Sequence, residues 1–113
     1  TVDAGRLAGD QVAALAASER PDAIFCANDL VALGVLQGLL TNGIRVPQDV
    51  ALIGFDDIDF AAAAAVPLSS VRQPSNLMGE TAMRLLLESA DDPGRAPEHI
   101  VFQPELVARA STA

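Results

Sequence analysis

Two short, unbroken apolar runs, Ala23-Ile24-Phe25-Cys26-Ala27 and Val50-Ala51-Leu52-Ile53-Gly54-Phe55, each stop abruptly in polar residues. The first ends in Asn28-Asp29 and the second in Asp56-Asp57. A run of this length that is apolar at every position, not every second one, reads as a strand buried on both faces. Between the runs lies a helical stretch, opened by Asn28 or Asp29 as N-cap and running to about Thr41. Leu30, Leu33, Val35, Leu36, Leu39 and Leu40 make it apolar over much of its circumference, so it must be covered on more than one side. Asn42-Gly43 closes it, because both residues tolerate the left-handed conformation that ends a helix. A strand–helix–strand unit with short connections gives two parallel strands and a right-handed crossover. The expected class is therefore α/β, an open parallel sheet with flanking helices.

The flanking segments extend this pattern. Gly5–Glu19 reads as a helix with Leu7, Val12, Leu15 and Ala16 on one face, ended by Arg20-Pro21-Asp22. The alanine run predicts a short helix over Phe60–Ala65, stopped by Pro67. Leu68–Val71 reads as a short strand. A further helix is expected over Asn76–Ser89, with Leu77, Met78, Ala82, Leu85 and Leu86 facing a core. Asp91-Asp92-Pro93-Gly94 is a turn, and residues 99–103 and 105–109 read as two strands interrupted by Pro104.

Composition narrows the functions available. The 113 residues suffice for one small domain. Fifteen acids face seven basic residues, all arginine, for a net charge of -8, and such a surface repels nucleic-acid phosphate. The absence of lysine removes Schiff-base chemistry and the phosphate-loop lysine. Cys26 is the sole cysteine and reads as a small core hydrophobe; with His99 as the sole histidine, no Cys/His zinc site is expected. Ser69 and Ser70 lack a nucleophile-elbow pattern. No catalytic residue, metal or cofactor is expected. The longest apolar stretch, near Leu30–Leu40, is broken by Gly and Gln, so no membrane span is expected, and no secretion leader is expected either.

Ligands of open parallel sheets bind beyond the carboxyl ends of the strands. If the two strands are neighbours, Asn28 and Asp56 share one rim, roughly 5–10 Å apart given a strand spacing of ~4.8 Å. An amide beside an acceptor-only carboxylate suits vicinal hydroxyls. Asp29, Phe55 and Asp57 are their pocket neighbours, and Phe60 could add to an apolar wall. The plainer alternatives are that Asn28 or Asp29 only caps the helix and that Asp57 and Asp59 are solvated loop acids. Asp56 and Asp57 sharing a metal or acid–base work would be the enzymic alternative.

The order of several segments resembles the lactose/galactose-repressor family. These are Arg20 to Gly34 (RPDAIFCANDLVALG), Val46 to Asp57 (VPQDVALIGFDD), Pro67 to Pro74 (PLSSVRQP), Met78 to Ala82 (MGETA) and the closing Val107 to Thr112. The resemblance covers nearly the whole chain. It implies part of a periplasmic-binding-protein-like, two-lobed effector domain. Residues 1 to about 71 would belong to the C-terminal lobe, about 72–98 to the N-terminal lobe, and about 99–113 to returning strands. The DNA-reading part and most of the N-terminal lobe would lie outside this sequence. The resemblance implies a cytoplasmic repressor whose small-molecule effector, in this family a sugar or a nucleobase and here expected to be a sugar, alters operator affinity; a periplasmic-type sugar-binding protein of the same fold is the alternative. Asn28 and Asp56 match the family's effector-contacting asparagine and aspartate. Asp29 matches the second member of its Asn-Asp pair. Val31 stands where methionine is common. Homodimer contacts are expected through Leu33, Leu36 and Leu40.

Overall fold

A computed structural model describes all of residues 1–113. The chain divides into two compact units, Thr1–Arg72 with Glu105–Ala113, and Gln73–Pro104.

In the larger unit, strands β1 (Ala23–Phe25) and β2 (Ala51–Ile53) pair in parallel, Ile24 opposite Leu52, joined through helix α2 (Asp29–Thr41). Strand β3 (Ser70–Arg72) continues the sheet beside β2, through a parallel bridge between Ile53 and Ser69 and the Gly54 N–H donating to the Ser69 carbonyl at 2.9 Å. Strand β4 (Glu105–Val107) then pairs antiparallel with β3. The sheet is thus parallel over its first three strands and antiparallel at the last. The expected strand over residues 99–103 does not form; Val101 is largely exposed, and pairing begins only after Pro104, which has no N–H to give a ladder.

The expectation that β1 is buried on both faces also fails. Ile24 and its partner Leu52 face the core, whereas Ala23 and Phe25, two residues apart and so on the other face, are exposed. The core is aliphatic: Ala32, Leu39, Val50, Leu52, Ala61 and Leu68 are fully buried, with Val35, Leu36, Cys26, Val46 and Ile44 nearly so.

Helix α1 spans Val2–Ala14 and not Gly5–Glu19; the Thr1 hydroxyl caps it by accepting the Ala4 N–H at 3.2 Å, and Ala17–Glu19 form a separate 3-10 turn. Its buried face matches the expected one only in part: Val12 packs against the core, but other members of the stripe do not. Leu7 and Leu15 are exposed, while Gly5 and Gly9 are buried. The cause is backbone-to-backbone packing on α2. A methyl on Gly5 would lie 2.1 Å from the Val31 carbonyl oxygen, and one on Gly34 would lie 2.0 Å from that of Val2. Gly9 and Gly38 repeat the arrangement one turn on. Two Gly-x-x-x-Gly pairs, one per helix, thus bring the axes closer than any side chain permits. The Asn42 amide adds a bond to Asp10 at 2.8 Å, and Gly43, with φ 75°, ends α2 in the left-handed conformation expected.

The alanine run yields only a short helix, α3 (Asp59–Ala62). Four residues scarcely pass helix nucleation, and Pro67 disfavours helical backbone at Val66 before it. In the smaller unit, helix α4 (Ser75–Asp91) is one residue longer at its start and two at its end than expected. None of its residues is fully buried; Leu77, Met83, Leu86 and Leu87 are each more than half exposed. Arg84 and Arg95 both pair with Glu88, and Arg95 also reaches Glu98 at 2.9 Å. No helix is long and apolar enough to cross a membrane.

Candidate functional site at the carboxyl edge of the sheet

Each strand ends two residues before the apolar run does, at Phe25 and Ile53, and the segments that follow are adjacent. The Asp29 N–H donates to the Phe55 carbonyl at 2.8 Å, and the Cys26 N–H to that of Ile53 at 2.8 Å. Asn28 and Asp56, each one residue from that first bond, therefore emerge on one rim.

The two residues opening α2 have separate tasks. Asn28 is the N-cap, with extended backbone and its Oδ1 accepting the Val31 N–H at 2.9 Å. Its amide nitrogen, a donor, remains for other work. Asp29 is not a cap. Its carboxylate is fully buried, accepting from the Ser70 hydroxyl at 2.7 Å and from the Ile58 N–H at 2.9 Å. Gly54 makes this possible, since a methyl there would lie 2.0 Å from Asp29 Oδ1. The carboxylate thus joins three segments: the start of α2, the turn after β2, and β3.

Asp57 is likewise not a solvated acid. Its side chain is 5% exposed and lies between two guanidinium groups. Oδ2 accepts from Arg72 Nε at 2.7 Å, and Oδ1 sits 2.6 Å from Arg109 Nη1, an ion contact rather than an aligned hydrogen bond. The Arg109 guanidinium holds the Asp57 carboxyl below the usual carboxylate range; burial pushes the other way, and Arg72 adds to the lowering.

Between these two anchors sits Asp56, an exposed residue with φ 101°, followed by Asp57 with φ 51°. Two consecutive positive φ values outside glycine cost on the order of 1–3 kcal/mol each and persist only where neighbours over-determine them. Here the Asp56 N–H donates to the Val71 carbonyl at 2.9 Å, the Asp57 N–H to Ser70 Oγ at 3.0 Å, and the Ile58 N–H to Asp29. The backbone of the loop is held from residue 56 to residue 58, with Asp56 exposed at the rim. Phe55 is half-buried beside it, while Phe60 is mostly exposed.

The supporting residues Ser70, Arg72, Arg109 and Gly54 were not singled out from the sequence. Only Gly54 left a signal, a glycine inside an apolar strand run, which marks a close approach. Ser111 and Ser69 extend the polar network to the chain end: Ser111 Oγ donates to the Leu52 carbonyl at 2.5 Å and accepts the Ser69 N–H at 2.8 Å.

Along α2, Leu33, Leu36 and Leu40 line a shallow, largely apolar groove of about 380 Å³ with Val2, Gln37, Thr41, Ala64 and Ala65. Leu36 is 3% exposed, so Leu33 and Leu40 offer most of the accessible leucine surface.

The sequence of residues 1–112 matches the family model of the periplasmic binding protein-like domain. The chain is 37% identical over 104 residues to the HTH-type transcriptional repressor PurR of Aliivibrio fischeri, covering 92% of this chain and 31% of that protein. It is 39% identical over 107 residues to PurR of Vibrio parahaemolyticus, covering 95% of this chain and 31% of that one. It therefore spans about a third of the curated relatives it matches. Among solved structures, a LacI family transcriptional regulator from Lactobacillus casei with bound sucrose superposes with a TM-score of 0.86 at 37% identity, over 99% of this chain and 41% of that one. The transcriptional regulator CelR in complex with cellobiose gives 0.85 at 37% identity, over 98% of this chain and 33% of that one. A LacI-type regulator from Bifidobacterium animalis gives 0.89 at 34%, over all of this chain and 40% of that one. The chain belongs to the periplasmic binding protein-like family, as a fragment of a domain similar to that of LacI-type transcriptional regulators.

Proposed function

We propose that this chain is the ligand-sensing portion of a bacterial DNA-binding transcriptional repressor, and that Asn28 and Asp56 contact its effector. The observation that carries this reading is the clamped, positive-φ loop with Asp56 exposed beside Asn28 at the carboxyl edge of the sheet. An amide donor next to an acceptor carboxylate is the pairing that neighbouring hydroxyls need. The effector is therefore a sugar, in line with the sucrose and cellobiose held by two similar regulators. Asp29 and Asp57 serve this site by fixing the loop, and Phe55 as its apolar neighbour. No step here is catalytic.

In the full-length, cytoplasmic protein, residues 1 to about 71 form C-terminal lobe, about 72–98 belong to the N-terminal lobe, and the closing strands return. DNA is contacted by a segment outside this acidic chain, and a homodimer forms through the groove of Leu33, Leu36 and Leu40. A periplasmic-type sugar-binding protein is the second reading, supported by the family's fold; the repressor relatives favour the first.

The test is Asp56→Asn in the full-length protein, titrated calorimetrically with glucose, sucrose and cellobiose. Loss of a charge-assisted bond of about 1.5–3 kcal/mol should weaken whichever sugar binds by roughly tenfold to a hundredfold. Operator binding without sugar should be unchanged. Equal sugar affinity in variant and wild type would remove Asp56 from the site.

A further inference from the structure

Asp57 lies where three separate stretches of chain meet. It stands on the loop after β2, it is paired with Arg72 at the end of β3, and it is paired with Arg109, which follows β4. Arg72 is the last residue of the larger unit before the chain leaves it, and Glu105 is the first on its return. These two face each other in the β3–β4 register and form an ion pair at 3.5 Å. Arg109 is itself anchored, its guanidinium donating to the Leu68 carbonyl at 2.8 Å and its N–H to Ser69 Oγ at 2.7 Å. The Asp57 carboxylate thus has a fixed partner on one side. On the other it has Arg72, which belongs to the exit strand β3 and is itself paired with Glu105 of the entry strand β4.

We infer that Asp57 is a positioning residue. Clamped between Arg109 and Arg72, it locks the positive-φ backbone of Asp56 and ties that loop to the two strands by which the chain leaves and re-enters its larger unit. The inference rests on the reading of Asp56 as an effector contact and adds how that contact is held and what moves with it. Charge is the operative property. Asparagine at this position would fill the same volume and tolerates left-handed backbone equally well, but it cannot serve as an anion to two guanidinium groups.

The experiment follows the full chain without ligand by NMR. The three-bond HN–Hα coupling of residues 56 and 57 reads φ, and amide hydrogen exchange at Asp56, Asp57 and Ile58 reads opening of the loop. Leu52 and Leu39 serve as internal controls. In Asp57→Asn, exchange at residues 56 and 57 should rise by about tenfold to a hundredfold, as loss of charge-assisted bonds implies, and the couplings should move toward averaged values. Leu52 and Leu39 should hold. Arg72→Gln leaves the Arg109 contact in place and should give the same pattern more weakly; it supplies the measurement if Asp57→Asn does not fold. Unchanged exchange and coupling at Asp56 in the variants, or equal acceleration at Leu52 and Leu39, would overturn the proposal. Because no sugar is present, a loop that opens as expected together with unaltered sugar binding in Asp56→Asn would refute the effector reading alone.

Discussion

At Asn28 the side-chain oxygen already satisfies the Val31 N–H, so the carboxylate one residue on is spared that duty and is carried inward. Buried, Asp29 answers two donors that would otherwise have none, the Ser70 hydroxyl and the Ile58 N–H. Asp29→Ala should therefore destabilise the fold by about 3 kcal/mol, because each orphaned donor costs on the order of 1–3 kcal/mol. Urea unfolding monitored by circular dichroism would measure this; a loss below about 0.5 kcal/mol, the range of ordinary surface changes, would contradict the network. The neighbouring Cys26 thiol is pushed up to about 11 by burial, with the negative Asp29 adding to it. A thiol so protonated and so enclosed should resist iodoacetamide at neutral pH and react only on unfolding, which mass spectrometry of the labelled chain would show.

Among the helices, glycine has opposite consequences on α2 and α4. Gly34 lies under the α1 backbone, where a methyl would meet the Val2 carbonyl oxygen at 2.0 Å and the Arg6 nitrogen at 2.7 Å. Neither neighbour is a flexible side chain that can swing away, so Gly34→Ala must push the helices apart, at a cost of about 3 kcal/mol. Gly79, exposed in the second turn of α4, has nothing within 4 Å of such a methyl. There Gly79→Ala should stabilise by roughly 0.5–1 kcal/mol, through helix propensity and reduced freedom of the unfolded chain. Thermal melts of the two variants should shift in opposite directions; a shared sign would show that propensity, not space, governs both sites.

For the molecule as a whole, acid should be the weak side. Asp57 and Asp49 both have carboxyls held low, Asp49 to about 2 by its hydrogen bonds to the Arg45 side chain and backbone. A carboxyl whose folded value is depressed contributes stability above its unfolded value, near 3.8 for aspartate here, and loses it as pH falls through the folded value. Stability should accordingly be flat from neutral pH down to about 5, then fall between about 4 and 2, and Asp57→Asn should flatten part of that decline. A urea midpoint series across pH would test it. At the same scale, the exposed Leu77, Met83, Leu86 and Leu87 of α4 form apolar surface that a soluble monomer seldom leaves open. Light scattering across a dilution series should show association, and a monomer at every concentration would count against the proposed dimer.

The apolar runs, the cap and stop residues, and the period of α2 determined the class, the parallel pairing of β1 with β2, and the rim on which Asn28 and Asp56 emerge. These are local or nearest-neighbour properties: burial period, turn chemistry, and the rule that ligands meet strands at their carboxyl ends. What depended on distant residues was not legible. The sequence does not say that Asp29 would turn inward, because its partners Ser70 and Ile58 lie 41 and 29 residues away. Nor does it say that Asp57 would be buried between Arg72 and Arg109, since an acid in an acidic loop reads as solvated until both arginines are brought beside it. The same holds for α1, where Val12 packs inward as expected but Leu7 and Leu15 do not, because glycine contacts with α2 bury Gly5 and Gly9 instead. Desolvation and close packing are decided by whichever groups arrive from elsewhere in the chain, and only the tertiary structure supplies them.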